Sequence, residues 1–219
     1  MSELPSRLLV VTDRSATDSP DVAARLLHDT LARLLRAGAR WIWFRERDLA
    51  PEARRALARD VVRLVKAGGG ALTIGADVAL AAELGADGVH LPGGTNAAEL
   101  AKARRRLPDG WIGVSAHAPD EVAMAARAGA DYATLSPIFP TPSKPGYGPA
   151  LGPEAIRIAT GFGMPVIALG GITVDRVEAC RSAGAAGVAV MGALMRPPDP
   201  TAAARAYLAR LAAGSGERR

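Results

Sequence analysis

The sequence has a single cysteine, Cys180, which excludes an internal disulfide and any metal site built on several thiolates. Cys180 falls in a helical pattern and reads as a small packed residue. Aromatic residues make up only 4% of the chain, too few to build a stacking platform for single-stranded nucleic acid. No apolar run approaches the roughly 20 residues that a membrane-spanning helix needs. The opening residues, Met1-Ser-Glu-Leu-Pro-Ser-Arg7, hold no apolar core of a secretory signal. The expectation is a soluble cytoplasmic protein with neither membrane nor nucleic acid as a partner. Like charges are not gathered in one run either. The net charge is +5, but arginines such as Arg54, Arg55, Arg59 and Arg63 are spaced as a mainly solvated helix face. There is no Ser/His/Asp arrangement and no His/Cys cluster of the kind that holds zinc.

What the chain does have is Ala, Val and Leu in quantity, with 49% hydrophobic residues overall. A phrase recurs: a helical pattern, then Gly-Ala or similar, then a short apolar strand. It occupies residues 37–44, 69–74, 85–91, 129–135 and 184–190. The glycine suits the left-handed residue that ends a helix. The strands are apolar on both faces, as a covered parallel sheet requires. Further strands at 8–12, 111–115 and 165–169 bring the number to eight. Helical patterns lie at 20–37, 51–67, 78–84, 95–106, 119–128, 153–161, 173–183 and 200–212. Eight β/α units in this length predict a single α/β domain, a (β/α)8 TIM barrel with its core at about 8–213 and flexible ends at 1–7 and 214–219. A doubly wound open sheet is the alternative. It usually carries a glycine-rich phosphate turn after its first strand, and Val11-Thr-Asp-Arg-Ser15 has none.

A barrel gathers its chemistry at the C-terminal ends of its strands. Strand two ends in Arg45-Glu46-Arg47, and alternation points both arginines the same way. Strand six runs into a loop, 137–152, that is too long for a mere connector and carries Thr141, Ser143 and Lys144 among prolines. Arg45, Arg47 and Lys144 converging on one mouth call for a multiply charged anion such as a diphosphate. The competing arrangement is a rim salt bridge from the arginines to Glu46, Asp48 or Asp13. Gly170-Gly171 after strand seven and Met191-Gly192 after strand eight suit a backbone phosphate cradle. His90, in Gly-Val-His-Leu, is either a satisfied structural histidine or a substrate contact. His117, two residues beyond Ser115, is either an acid or base or a loop-capping residue.

The motifs Leu9-Val-Val-Thr-Asp13, Phe44-Arg-Glu-Arg-Asp48, Gly85-Ala-Asp-Gly-Val-His-Leu91, Ile112-Gly-Val-Ser-Ala-His117, Ser136-Pro-Ile-Phe-Pro-Thr-Pro-Ser-Lys144 and Pro165-Val-Ile-Ala-Leu-Gly-Gly-Ile172 occur in order. Together they resemble the thiamine-phosphate synthase and TenI family, whose fold is a (β/α)8 barrel. The resemblance implies an enzyme of thiamine biosynthesis, a transferase joining hydroxymethylpyrimidine diphosphate to thiazole phosphate with release of diphosphate. It implies Arg45, Arg47 and Lys144 as diphosphate binders and Ser115 as a residue at the leaving diphosphate and pyrimidine. It implies Thr141 and Ser143 as contacts of the thiazole phosphate, with Gly171, Met191 and Gly192 as its phosphate cradle. His90 and His117 are further candidate substrate contacts. The cofactor so implied is Mg2+, but the aspartates that would hold it are replaced by Ala76 and, near the second position, Thr95, leaving Asp77 as a substitute. The glutamine usual before the Arg-Glu motif is Trp43. The TenI branch, with its thiazole tautomerases, also lacks these aspartates and resembles Leu91-Pro-Gly-Gly94, yet its catalytic histidine after strand six is Pro137 here. The alternatives to the synthase are therefore a tautomerase and a non-catalytic thiazole-phosphate binder. The expected partners are the phosphorylated thiazole and pyrimidine. A homo-oligomer is compatible with the sequence, which does not fix the oligomeric state.

Overall fold

The computed structural model describes residues 3–15, 17, 19–141 and 149–213. Among them, eight parallel strands close in chain order: β1 Leu8–Val11, β2 Trp41–Phe44, β3 Ala71–Gly75, β4 Gly88–Leu91, β5 Trp111–Ala116, β6 Tyr132–Leu135, β7 Val166–Leu169 and β8 Gly187–Val190. β8 pairs back onto β1, with Val190 opposite Val10, so the sheet has no edge. The TIM barrel expected from the repeated phrase is the observed fold. The helices are α1 Pro20–Arg36, α2 Pro51–Ala67, α3 Val78–Leu84, α4 Ala97–Arg106, α5 Pro119–Arg127, α6 Gly152–Thr160, α7 Val177–Ser182, α8 Gly192–Met195 and α9 Pro200–Ala212. None of them is long and apolar enough to cross a membrane.

The alternation of side chains along each strand sorts the core into two clusters. Leu8, Val10, Ile42, Phe44, Leu72, Ile74, Val89, Ile112 and Val114 face outward and pack under the helices. Leu9, Val11, Trp41, Trp43, Tyr132, Ile167 and Ala189 face inward and fill the barrel. Leu4 packs on this inner cluster, and the Arg7 guanidinium donates to the Leu211 carbonyl at 3.4 Å, so the lead-in that sequence reasoning left flexible has contacts of its own.

Local chemistry sets the helix ends. Pro occupies the first turn of α1, α2, α5, α6 and α9, where its missing N–H has no helical partner to lose. The helix expected from residue 95 starts at Ala97 because Asn96 and Glu99 form a capping box. The helix expected over 173–183 opens as a 3-10 turn, Val174–Arg176, before α7. The short α8 directly after β8 was not foreseen. Four residues carry too little periodicity to register.

Inside the barrel, Trp41, Thr73, Tyr132 and His90 form a linked polar set. The Trp41 indole donates to Thr73 Oγ1 at 2.9 Å, and Trp41 meets Tyr132 edge-on at 4.9 Å between ring centroids. Tyr132 Oη lies 3.0 Å from His90 Nδ1. Gly113 makes room for this crossing. A Cβ there would sit 2.1 Å from Tyr132 Cζ and 2.6 Å from His90 Nδ1. Both neighbours are fully buried on closed strands and have nowhere to retreat. Gly113→Ala is therefore expected to destabilise the protein by about 1–3 kcal/mol or more through overpacking, read as a lower urea midpoint at unchanged m-value.

Candidate active site

The inward set of β2 runs Trp41, Trp43 and then, past the strand, Arg45 and Arg47 at the barrel mouth. Both arginines are exposed. The Arg45 amide donates to Thr12 Oγ1 at 2.9 Å, and the Thr12 hydroxyl donates to Glu46 Oε1 at 2.6 Å, which pins the ends of β1 and β2 together. The rim salt bridge that competed with a binding role does not form. Glu46 and Asp48 are both taken by Arg14, and Asp13 is taken by Arg196. Among the described residues, Arg45 and Arg47 pair with no carboxylate. Crowding by protein, with repulsion from Arg45 and Arg54, pulls the Arg47 pKa below its ordinary value. Glu46 is buried, and that burial raises its pKa despite the Thr12 and Arg14 contacts.

Beneath the arginines lies an uncharged floor. The Trp43 ring rests on His90 at 3.9 Å between centroids. His90 Nε2 is 3.0 Å from Ser115 Oγ and 3.2 Å from Thr134 Oγ1. With Tyr132 on Nδ1, both ring nitrogens of this fully buried histidine are engaged. Burial, followed by the fields of Arg47 and Arg45, lowers its pKa to about 3. Burial likewise raises that of Tyr132. Trp43 Nε1 is buried with no partner among the described residues. A Cβ on Gly75 would lie 2.9 Å from it, so the bulk of Trp43 and the bareness of Gly75 are one arrangement.

Of the two candidate histidines, His90 therefore sits under the site as a satisfied group that holds Ser115. His117 sits at the rim, where its amide donates to Glu121 at 2.7 Å and its Nδ1 donates to the Ser136 carbonyl at 2.8 Å. That bond fixes the proton on Nδ1.

The glycine pair after β7 has a reason that sequence reasoning missed. Gly170 and Gly171 have φ of 93° and 64°. A Cβ on Gly171 would meet the Pro140 carbonyl oxygen at 2.5 Å. The Phe139 amide donates to the Gly170 carbonyl at 3.0 Å, and Arg176, lying over the Phe139 ring, donates to the Gly171 carbonyl at 2.7 Å. The loop after β6 is thus laid on the β7 turn as far as Pro140, next to Thr141. Ser143 and Lys144 lie outside the described residues. Met191 and Gly192 open α8, whose Arg196 reaches back to Asp13 and Ser15.

Asp77, the substitute metal ligand expected from sequence, is engaged on both oxygens. One oxygen accepts the Leu80 amide at 2.9 Å, capping α3, and the other accepts from Arg54 at 2.9 Å. Arg54 also donates to the Glu46 carbonyl at 2.9 Å and the Gly75 carbonyl at 2.6 Å. This corrects the reading of Arg54 as part of a solvated face: its side chain is 12% exposed and it ties β2, β3 and α3 together. The signal was position. The first turn of a barrel helix stands at the catalytic end, so Arg54 is within reach of the mouth, whereas Arg59 and Arg63 are not. Arg14 and Arg196 left no such trace, because their partners are distant in sequence.

The neutral floor implies a pH dependence of stability. His90 has a folded pKa of about 3 against an ordinary 6.5, so its contribution is present above pH 6.5 and is lost as pH falls toward 3. The slope approaches about 1.4 kcal/mol per pH unit. Urea unfolding of the wild type and His90→Gln between pH 7.5 and 4.5 is expected to show a shallower loss in the variant.

Comparison with known proteins agrees with this geometry. The family model described as thiamine monophosphate synthase matches residues 8–194. The thiamine-phosphate synthase of Methanoculleus marisnigri is 41% identical, with 97% of this chain and 98% of that protein covered. The thiamine biosynthesis bifunctional protein ThiM/ThiE of Symbiobacterium thermophilum is also 41% identical, over 86% of this chain but only 39% of its own length. Among solved structures, the thiamine phosphate pyrophosphorylase from Pyrococcus furiosus superposes with a TM-score of 0.80 at 24% identity, covering 94% of this chain and 96% of that one, a likeness of fold. With its barrel, its motifs and these matches in register, the chain belongs to the thiamine monophosphate synthase family.

Proposed function

We propose that this chain is a thiamine-phosphate synthase that joins hydroxymethylpyrimidine diphosphate to thiazole phosphate. The observation that carries this reading is the pair of arginines, Arg45 and Arg47, left without carboxylate partners at the mouth while every neighbouring acid is claimed by another arginine. Unpaired cations held in place suit a diphosphate leaving group. In the reaction, the bond between the pyrimidine methylene carbon and the diphosphate oxygen breaks and its electron pair leaves with the diphosphate. The thiazole nitrogen lone pair then forms the new C–N bond. No proton need be transferred for either change.

Arg45 and Arg47 bind the diphosphate, joined by Lys144 in the loop after β6. Ser115, oriented by His90, faces the leaving group and the pyrimidine. Thr141 and Ser143, with Gly171 and the Met191-Gly192 turn, take the thiazole phosphate. A neutral His90 adds no positive charge beneath a developing carbocation. The family's magnesium does not fit the residues present, since Ala76 and Thr95 stand at its positions and Asp77 is engaged; no step is routed through it. For the tautomerase alternative, His90 is poorly suited to carry a proton, since both of its ring nitrogens are hydrogen-bonded and burial holds it neutral.

The reading is tested by incubating the protein with hydroxymethylpyrimidine diphosphate and thiazole phosphate and measuring thiamine phosphate. Arg47→Ala is expected to lower kcat/KM roughly 10- to 100-fold, the loss of one or two charge-assisted hydrogen bonds. Absence of coupled product, together with rearrangement of a thiazole phosphate carboxylate offered alone in a parallel incubation, would move the chain to the tautomerase branch.

A further inference from the structure

Within the synthase reading, we infer that this chain binds the diphosphate without a divalent cation held by its own carboxylates, the charge being met by its cationic side chains. The inference rests on where each acid of the mouth is spent. Glu46 accepts from Thr12 and faces Arg14, Asp48 pairs with Arg14, and Asp13 pairs with Arg196 and accepts the Ser15 amide. Asp77 caps α3 and pairs with Arg54. In the first turns of α4 and α5, Glu99 accepts the Asn96 amide and Glu121 the His117 amide. Among the described residues, no group of three or more His, Cys, Asp or Glu could hold a metal. A magnesium site needs oxygen ligands close to octahedral order, and carboxylates usually supply one or two of them.

The change at the β3 end is electrostatically self-consistent. Two carboxylates plus Mg2+ sum to zero. Replacing both acids by neutral side chains and leaving out the ion also sums to zero, so the diphosphate meets the same net charge. Losing one acid alone would not have this property. The backbone at this place also bears on the argument. Ala76 has a φ of 58°, a left-handed conformation that Asp and Asn adopt more readily than Ala, and its amide donates to the His90 carbonyl at 2.8 Å. The turn thus has the shape that suits an aspartate without its carboxylate. Alongside it, Arg54 is clamped on the Gly75 carbonyl and Asp77, and both line a cavity of ≈ 370 Å³ with Arg47, Arg55 and Glu83, the last paired with Arg55 at 3.3 Å. Paired with Asp77, Arg54 adds no net charge at the β3 end, which leaves the two unpaired arginines of β2 as the cations nearest to it.

The experiment is calorimetric titration of the full chain with inorganic diphosphate, once in EDTA and once in excess Mg2+, together with the thiamine phosphate assay under both conditions. Binding in EDTA within about threefold of that in Mg2+, with turnover retained, is the expected result. Binding and turnover that appear only with Mg2+ would overturn the inference and leave the synthase reading standing. No diphosphate binding and no product in either condition would sink both. Ala76→Asp supplies a second measurement. The new carboxylate suits the left-handed backbone, so the variant should fold. It is expected to weaken diphosphate binding in EDTA by about tenfold through like-charge repulsion, with Mg2+ restoring it. An unchanged EDTA affinity in that variant, with its folding verified, would count against the inference, because residue 76 would then not face the diphosphate.

Discussion

Everything at the mouth depends on the one-in, one-out alternation of β2. The positions that put Trp41 and Trp43 into the barrel put Arg45 and Arg47 above them, while Glu46 between the arginines is turned to the other side and meets Thr12 and Arg14. A closed sheet cannot slip its register without exposing a whole face, so this sorting of charge is rigid. Two cations face the ligand side, and the acid that could have neutralised them is held away by the same geometry.

The floor of the site follows from packing. A buried imidazole beneath two guanidinium groups is costly to protonate, and the barrel supplies it with Tyr132, Ser115 and Thr134 as partners in its neutral form. The large Trp43 is matched by the bare Gly75, and the crossing of Tyr132 by the bare Gly113. Each glycine is there for the neighbour that would otherwise collide with a Cβ. Gly171 is of the same kind, since its bareness lets the backbone of the loop after β6 lie on the β7 turn. What reads in sequence as a phosphate-binding Gly-Gly is, in the fold, first a seat for the loop that carries Thr141.

The arginines divide into two classes by their partners. Arg14, Arg54 and Arg196 are committed to carboxylates and carbonyls and fasten neighbouring strand ends together. Among the described residues, Arg45 and Arg47 are not. Net charge could not have separated these classes, because a paired and an unpaired arginine count alike. The distinction matters for chemistry, as only an unpaired cation can meet a ligand's charge without first losing a partner.

The recurring Gly-Ala-strand phrase and the proline-started helices were enough to read the barrel from sequence, because both report local backbone preferences, each repeated five times along the chain. The arginines of β2 were legible for the same reason: period two survives translation from sequence to strand. The Arg54 clamp, the engagement of Asp77 and the neutral state of His90 were not legible. Each depends on groups brought together across distant strands, whose distances and burial no local pattern encodes. Sequence by itself determined the fold and which residues follow each strand. Tertiary structure alone decided which charges there are already paired, because pairing is a property of closure and not of the chain's order.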